Sequence, residues 1–258
     1  MFLFRLVIFL VLLNIFSKAI ADTVTVSADK NQSSDTSVQQ NIDTDDVTLT
    51  VSGNAQVDDD SKAVLVDSGV EGASVIVESG STITTTSGDN GVLGLNTTSL
   101  SVMNSGTISA NSMKAIDIYR STDASITNNS GATISSVGNT IRTGGTGSDS
   151  STGYTITNSG KMFTTSTGVK SSVLFGNANS SGGTITNNSG AEIYSGGNVV
   201  TIKVGGTTTI KNSGSIKNNT SVDDNVIELL GSNNTVTLEE GSTLVGKISS
   251  ASGTSGKA

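Results

Sequence analysis

Apolar and polar residues alternate along this chain in short runs that recur over most of its length. The clearest run is Thr184-Ile185-Thr186-Asn187-Asn188-Ser189-Gly190. In an extended chain Ile185 and Asn187 point to one side, and the threonines to the other. The Ser-Gly pair then turns the chain, because glycine accepts positive φ and Asn and Ser bond to the local backbone. The run is therefore predicted to be a β-strand followed by a turn.

Near-copies of this run recur at a regular interval. The stronger copies are Val102–Gly106, Ile126–Gly131, Ile156–Gly160 and Ile210–Gly214, and the weaker ones are Leu49–Gly53, Val75–Gly80 and Val236–Gly241. The turn glycines are separated by 24 to 30 residues; they are Gly53, Gly80, Gly106, Gly131, Gly160, Gly190, Gly214 and Gly241. A period of about 27 residues is typical of a solenoid.

Each repeat unit contains three alternating runs rather than one. After Gly190 a second short run is centred on Ile193, and a third extends over 198–204. Three short strands and three polar turns in about 27 residues correspond to one coil of a parallel β-helix. We therefore predict an all-β fold, a right-handed single-stranded parallel β-helix of about eight coils.

One inward position of the repeat changes from apolar to amide along the chain. Five central units have asparagine there: Asn104, Asn128, Asn158, Asn187 and Asn212. The outer units have Val51, Val77 and Leu238 instead, which indicates that the position faces inward. The asparagines are predicted to form an internal ladder at about 4.8 Å spacing, each amide bonding to neighbouring coils.

The beginning of the chain has the pattern of a secretory signal peptide. Residues 1–21 place Arg5 before an apolar stretch and end in the small-x-small pattern of Ala19 and Ala21. Residues 22–46 are predicted to be an N-terminal cap or loose first coil, 47–248 the repeats, and 249–258 a flexible tail. Excursions near 144–153 and 177–183 are predicted to project from the stack.

Charge and composition exclude several functional classes. The chain has 14 basic and 22 acidic residues, and loss of the signal peptide would remove Arg5 and Lys18, giving a net charge of −10. Nucleic acid is not an expected partner, because its binding depends on basic residues that neutralise phosphates. The chain contains neither His nor Cys. Ser-His-Asp and Cys-His catalysis, and zinc sites built from His or Cys, are therefore excluded.

The remaining candidates for chemistry are carboxylates and two arginines. The acidic runs are Asp45-Asp46, Asp58-Asp59-Asp60, Asp223-Asp224 and Glu239-Glu240, and all are interpreted as solvated turns. Arg120 and Arg142 are placed just after neighbouring third strands, with Asp117 and Asp123 close to Arg120. Solvated loop ends are the preferred interpretation there too. We therefore expect no catalytic residues, no cofactor and no metal site.

The Ile-Thr-Asn-Ser-Gly repeats behind a signal peptide resemble the passenger domain of a bacterial autotransporter, which has a pectin-lyase-like β-helix. The resemblance covers about 47–248, including the closing run 234–248. It implies a surface-exposed product of type V secretion, and an outer-membrane β-barrel if the chain is part of a longer protein. The chain itself lacks a C-terminal set of amphipathic strands of about 10 residues, which departs from the family pattern.

The expected function is that of an exported, non-enzymatic surface rod, adhesin-like or structural, that presents loops. Expected partners are a cell-surface glycan or protein receptor, and further copies of the rod. Its expected location is the cell surface or medium, or the periplasm without a translocator. Two alternatives stay open: a secreted carbohydrate-active β-helix enzyme resembling polysaccharide lyases, and a truncated autotransporter fragment without activity.

Overall fold

The computed structural model describes residues 23–26, 39–53, 56–59, 62–86, 90–144, 149–165, 172–196, 200–219 and 224–250. The predicted signal peptide and most of the predicted C-terminal tail lie outside these ranges. The regular structure within them consists of β-strands alone. Consequently, these ranges contain no helix of the length and apolarity needed to cross a membrane.

The strands form three sheets. The first sheet contains β1 (Thr23–Val26), β3 (Thr48–Val51), β6 (Ser74–Val77), β9 (Ser101–Asn104), β12 (Ser125–Asn128), β15 (Thr155–Asn158), β18 (Thr184–Asn187), β21 (Thr209–Asn212) and β24 (Thr235–Leu238). The second contains β4 (Gln56–Asp59), β7 (Thr82–Thr85), β10 (Thr107–Ala110), β13 (Thr133–Ser136), β16 (Lys161–Thr164), β19 (Glu192–Ser195), β22 (Ser215–Asn218) and β25 (Thr243–Val245). The third contains β2 (Gln40–Ile42), β5 (Lys62–Val66), β8 (Asn90–Leu95), β11 (Lys114–Tyr119), β14 (Ile141–Arg142), β17 (Leu174–Phe175), β20 (Ile202–Val204), β23 (Asn225–Leu229) and β26 (Lys247–Ser250).

Successive strands of each sheet are hydrogen-bonded in parallel, one coil apart. The chain therefore visits the first, second and third sheets in turn and then starts the next coil. The predicted all-β parallel solenoid is confirmed. The segment predicted to be a cap or loose first coil contains β1 and β2, which pair with β3 and β5.

The core is a set of aliphatic columns. In the first sheet Ile156, Ile185 and Ile210 are in register on neighbouring strands and are at most 1% exposed. The second and third sheets contribute similar columns. Examples are Ile108 and Ile134 in the second sheet and Ile116 and Ile141 in the third, all fully buried. Because each residue stacks on its equivalent in the next coil, a narrow core is completed with Val and Ile and few aromatic residues.

Differences in coil length leave the first sheet regular, whereas the third sheet has a shift in register between Asn225 and Ile227, where β23 pairs with β26. We call the turns from the first to the second sheet the first corner, those from the second to the third sheet the second corner, and those leading to the next coil the third corner. In the first sheet every step from β1 to β24 pairs four residues with four and shows no shift in register. The variable spacing of the repeats therefore leaves this sheet undisturbed.

The turn glycines of the first corner fall into two groups. Gly53, Gly80, Gly131, Gly190 and Gly241 have positive φ. The other three do not; they are Gly106, Gly160 and Gly214. In this second group a side chain has no room, since a Cβ on Gly160 would lie 2.3 Å from the Ala132 carbonyl oxygen. The sequence predicted that glycine is needed at these turns because it accepts positive φ, and this holds only for the first group. In the second group glycine is needed because the backbones of two coils approach closely.

Two alanine substitutions separate these roles. Gly190→Ala places a Cβ in open space, so only its φ of 79° is unfavourable; the expected loss of stability is about 1–2 kcal/mol. Gly160→Ala forces two coils apart at backbone atoms and should cost more, about 2–3 kcal/mol. Urea denaturation of both variants checks this order, and a larger loss for Gly190→Ala would contradict it.

Candidate contact site at the third corner

The interior of the first corner is lined by the five asparagines singled out in the sequence. All five are fully buried: Asn104, Asn128, Asn158, Asn187 and Asn212. The amide nitrogen of each of the first four donates to the amide oxygen of the next asparagine, at 2.9, 2.9, 2.8 and 2.8 Å along the series. Asn158 also donates to the Glu192 carbonyl and accepts from Gly160 N. These side chains are engaged with one another and with the turns, so we assign them a structural role.

The other two corners also contain buried polar side chains, which were not predicted from the sequence. At the second corner the hydroxyls of Ser195 and Thr201 are 3.0 Å apart, and Thr164 donates to the Gly138 carbonyl. At the third corner the hydroxyls of Thr97 and Ser121 are 2.8 Å apart. The spacing of these residues along the sequence varies with the length of the turns. They therefore do not follow the regular period by which the asparagines were identified.

The third corner also has an unusual backbone. All non-glycine residues with positive φ in the described ranges lie there: Asp46, Asn96, Ser99, Arg120, Asp123, Thr207 and Asn233. Isolated parallel β-bridges connect successive coils at this corner, from Glu71 through Thr98, Thr122 and Thr152 to Ser181. The positive φ at Arg120, 55°, turns the chain directly after β11. This is the local geometry that places the arginine at the surface.

The two predicted excursions meet at this corner. Gly144 and Ser150 form an antiparallel bridge at the base of the first excursion. From the second, Asn177 donates through its amide to the Asp149 carbonyl at 2.7 Å, and the Ser180 hydroxyl donates to the Thr143 carbonyl at 3.0 Å. Loops from successive coils thus form one surface feature.

Two charged networks lie beside the excursions. In the first, Arg142 binds Asp117 through both carboxylate oxygens, at 2.8 and 2.6 Å. Lys114 Nζ lies 3.7 Å from the same carboxylate, whose side chain is only 1% exposed. Arg142 was predicted to follow a strand, but it lies within β14, directly opposite Asp117 in register. A buried carboxylate that is bonded at both oxygens is typical of structural ion pairs.

The second network is at the surface. Asp149 accepts hydrogen bonds from the Tyr119 hydroxyl and from Arg120 Nε, the latter at 2.7 Å. Both bonds lower the pKa of the Asp149 carboxyl, and the bond from Tyr119 has the larger effect. The same bond raises the pKa of the Tyr119 hydroxyl. The guanidinium carbons of Arg120 and Arg142 lie 5.1 and 5.0 Å from the centre of the Tyr119 ring. Both networks therefore share this ring through cation–π contacts.

We call this group the Tyr119 cluster: Lys114, Asp117, Tyr119, Arg120, Arg142 and Asp149. Arg120 is its most accessible member, with 54% of its side chain exposed. Both arginines and Asp117 were candidate residues in the sequence, whereas Tyr119 and Asp149 were not. Asp149 is distant in sequence, and only the excursion of its own coil brings it to β11. Asp123 lies at the same corner, where its backbone N–H donates to the Thr152 carbonyl.

The acidic runs do not assemble into a site within the described ranges. Asp45 accepts a hydrogen bond from Glu71 N, and Asp46 N donates to the Glu71 carbonyl, so both belong to a turn. Glu239 and Glu240 are exposed. Asp60 and Asp223 lie outside the described residues. In the part of the chain that is described, no three His, Cys, Asp or Glu residues converge as ligands for a metal ion.

Comparisons with known proteins add no assignment. No protein-family model, no curated protein and no solved structure shows a significant match to the chain.

Proposed function

We propose that the chain is an exported β-helical rod with an adhesin-like function, and that it contacts a cell-surface glycan or protein receptor through the Tyr119 cluster. The observation that supports this proposal is the meeting of two excursions at one corner, beside an exposed arginine and a tyrosine. Tyrosine and arginine are the residue types most often found at the centres of recognition surfaces. The parallel stack beneath them supplies the rigid support that a contact site needs.

Arg120 is the residue on which binding is expected to depend most. Its guanidinium is held in place by Asp149 and the Tyr119 ring, yet more than half of the side chain is accessible to a ligand. A planar guanidinium pairs well with carboxylates and hydroxyls of an acidic glycan or protein. Such a contact is weakened by salt, because charges near the surface are screened.

Binding of the purified protein to cells and to a glycan array tests this assignment. Arg120→Asn removes the guanidinium and keeps a residue type that tolerates positive φ; we expect about tenfold weaker binding, equivalent to about 1.4 kcal/mol. Lys211→Asn is the control, since it removes an equal charge from an exposed position on the first sheet. Equal binding by the two variants would contradict a role for the third corner.

Export is tested by locating the product in the cell. Antibody against the rod is applied to whole cells, outer membrane, periplasm and medium, with and without external protease. The proposal expects a protease-sensitive species at the surface or a mature species in the medium. Retention of the rod in the cytoplasm would contradict it.

A carbohydrate-active enzyme is the second candidate, favoured by the proximity of Lys114 and Arg142 to Asp117. Polysaccharide lyases need a base beside carboxylates, and these residue types are present. The bidentate Asp117–Arg142 pair argues against this function. An arginine that donates two hydrogen bonds to a carboxylate is not free to act as a base and take a proton. Release of reducing ends or unsaturated sugars from a polysaccharide panel would favour the enzyme.

A further inference from the structure

The two ends of the first sheet have nearly identical sequences. The first strand, β1, reads Thr23-Val24-Thr25-Val26, and the last, β24, reads Thr235-Val236-Thr237-Leu238. Within the described residues, no strand pairs with the outer edge of either one. Unpaired edges of this kind are templates for pairing with another chain.

Both end strands also expose apolar side chains at inward positions. Val24 and Leu238 are each 47% exposed, although their equivalents inside the stack, such as Val75 for Val24 and Val77 for Leu238, are fully buried. Val26 and Val236 are only partly buried against the core. Each end therefore presents one exposed and one half-covered aliphatic residue, in opposite order along the strand.

These features are complementary between two copies. If β1 of one copy follows β24 of another in the register of the sheet, Val24 lies on Val236 and Val26 lies on Leu238. The exposed residue of each strand then covers the half-covered residue of the other. The outward threonines Thr23 and Thr25 likewise lie on Thr235 and Thr237. The row of Ser and Thr hydroxyls that ends at Thr23 and Thr235 therefore continues across the junction.

The backbone groups also match. Ser52 N donates to the Val26 carbonyl, so this carbonyl points toward β3. Backbone groups of successive residues in a strand point to opposite edges, so the N–H and C=O of Thr25 point to the outer edge. At the other end Glu239 N donates to the Asn212 carbonyl, so the peptide groups of Leu238 and Val236 face outward. Only a head-to-tail arrangement brings these two edges together in parallel. Two copies joined through the same end would meet as antiparallel strands.

We infer that the rods associate head to tail, with the β24 edge of one copy binding the β1 edge of a second copy of this chain. The inference goes beyond the proposed receptor contact and does not rest on it. An interface between two different patches of the same molecule does not close on itself in a straight stack, so the product is a filament. Each copy is acidic, so repulsion between copies opposes association, and salt should favour it.

Two end variants test the inference, with analytical ultracentrifugation of the purified protein across a concentration series as the measurement. Val24→Lys and Leu238→Lys each place a charge on one end. Because both side chains are already exposed in the single copy, the unfolding transition should not change. Met103→Lys is the control: Met103 is 43% exposed on the outward face of β9, away from both ends.

The wild-type protein and Met103→Lys are expected to form a ladder of oligomers that lengthens with concentration and salt. Each end variant alone is expected to remain monomeric. An equimolar mixture of Val24→Lys and Leu238→Lys is expected to give dimers and nothing longer, since one intact end of each kind is available. Electron microscopy should show rods of unit and double length in that mixture.

Three results would overturn the inference. The first is a wild-type protein that stays monomeric up to its solubility limit. The second is association that persists in either end variant alone, which would indicate contact between like ends or between sides of the rods. The third is a mixture of the two variants that fails to dimerise.

Discussion

Ile185→Asp is expected to abolish the single cooperative unfolding transition of the rod. Ile185 is 1% exposed and lies in register between Ile156 and Ile210, so the new carboxylate would be stacked between two aliphatic layers. Loss of the buried side chain costs about 2–5 kcal/mol. Burial of an unpaired carboxylate adds several more kcal/mol. Since coils are stabilised by their nearest neighbours, a break here separates the stack into two parts.

Thermal melts followed by circular dichroism, together with limited proteolysis, measure this effect. Thr186→Asp is the matched control, because Thr186 is next in the same strand, faces outward and pairs with Lys211. It should change stability by no more than about 0.5 kcal/mol. A cooperative melt of Ile185→Asp that matches the wild type would disprove the inward orientation of this column.

The second large effect is expected for Asn158→Leu, in the middle of the asparagine ladder. Leucine removes the donor to Asn187 Oδ1, which loses its ladder partner. It also removes one acceptor of Asn128 Nδ2, which keeps the Lys161 carbonyl. It also leaves Gly160 N without its side-chain acceptor. Each buried unsatisfied group costs about 1–3 kcal/mol, so the expected loss is about 3 kcal/mol or more.

Asn212→Leu provides the comparison, because it lies at the end of the ladder and its neighbour in β24 is already Leu238. It breaks one bond between asparagines, that from Asn187, instead of two. The expected loss is about half that of Asn158→Leu. Urea denaturation measures both variants. Equal losses would mean that bonds to the turns, and not those between coils, make the ladder stabilising.

The sequence was sufficient to predict the all-β parallel solenoid, because that fold repeats one local pattern. Ile156, Ile185 and Ile210 are each followed two residues later by asparagine and then by a Ser-Gly turn. Both the strand and its partner in the next coil can therefore be read from the period. The same repetition explains why comparison with other proteins was not needed to predict the architecture.

The Tyr119 cluster was only partly accessible to sequence reasoning, because it depends on contacts that do not repeat. Asp117 and Arg142 attracted attention as charged residues in a chain with few arginines, but their pairing follows from the register of β11 and β14. Asp149 was not singled out at all. Its contact with Tyr119 is set by how an irregular corner folds back, which the period does not encode.

The uninterrupted register of the first sheet has an evolutionary consequence. Coils of unequal length are joined by a first sheet whose register is uninterrupted from β1 to β24, so residues can be gained or lost at a corner without repacking the interior. Mutation can therefore alter the loops without a matching penalty in folding. A lineage carrying such a rod can diversify its loops rapidly while the sheet beneath them is inherited unchanged.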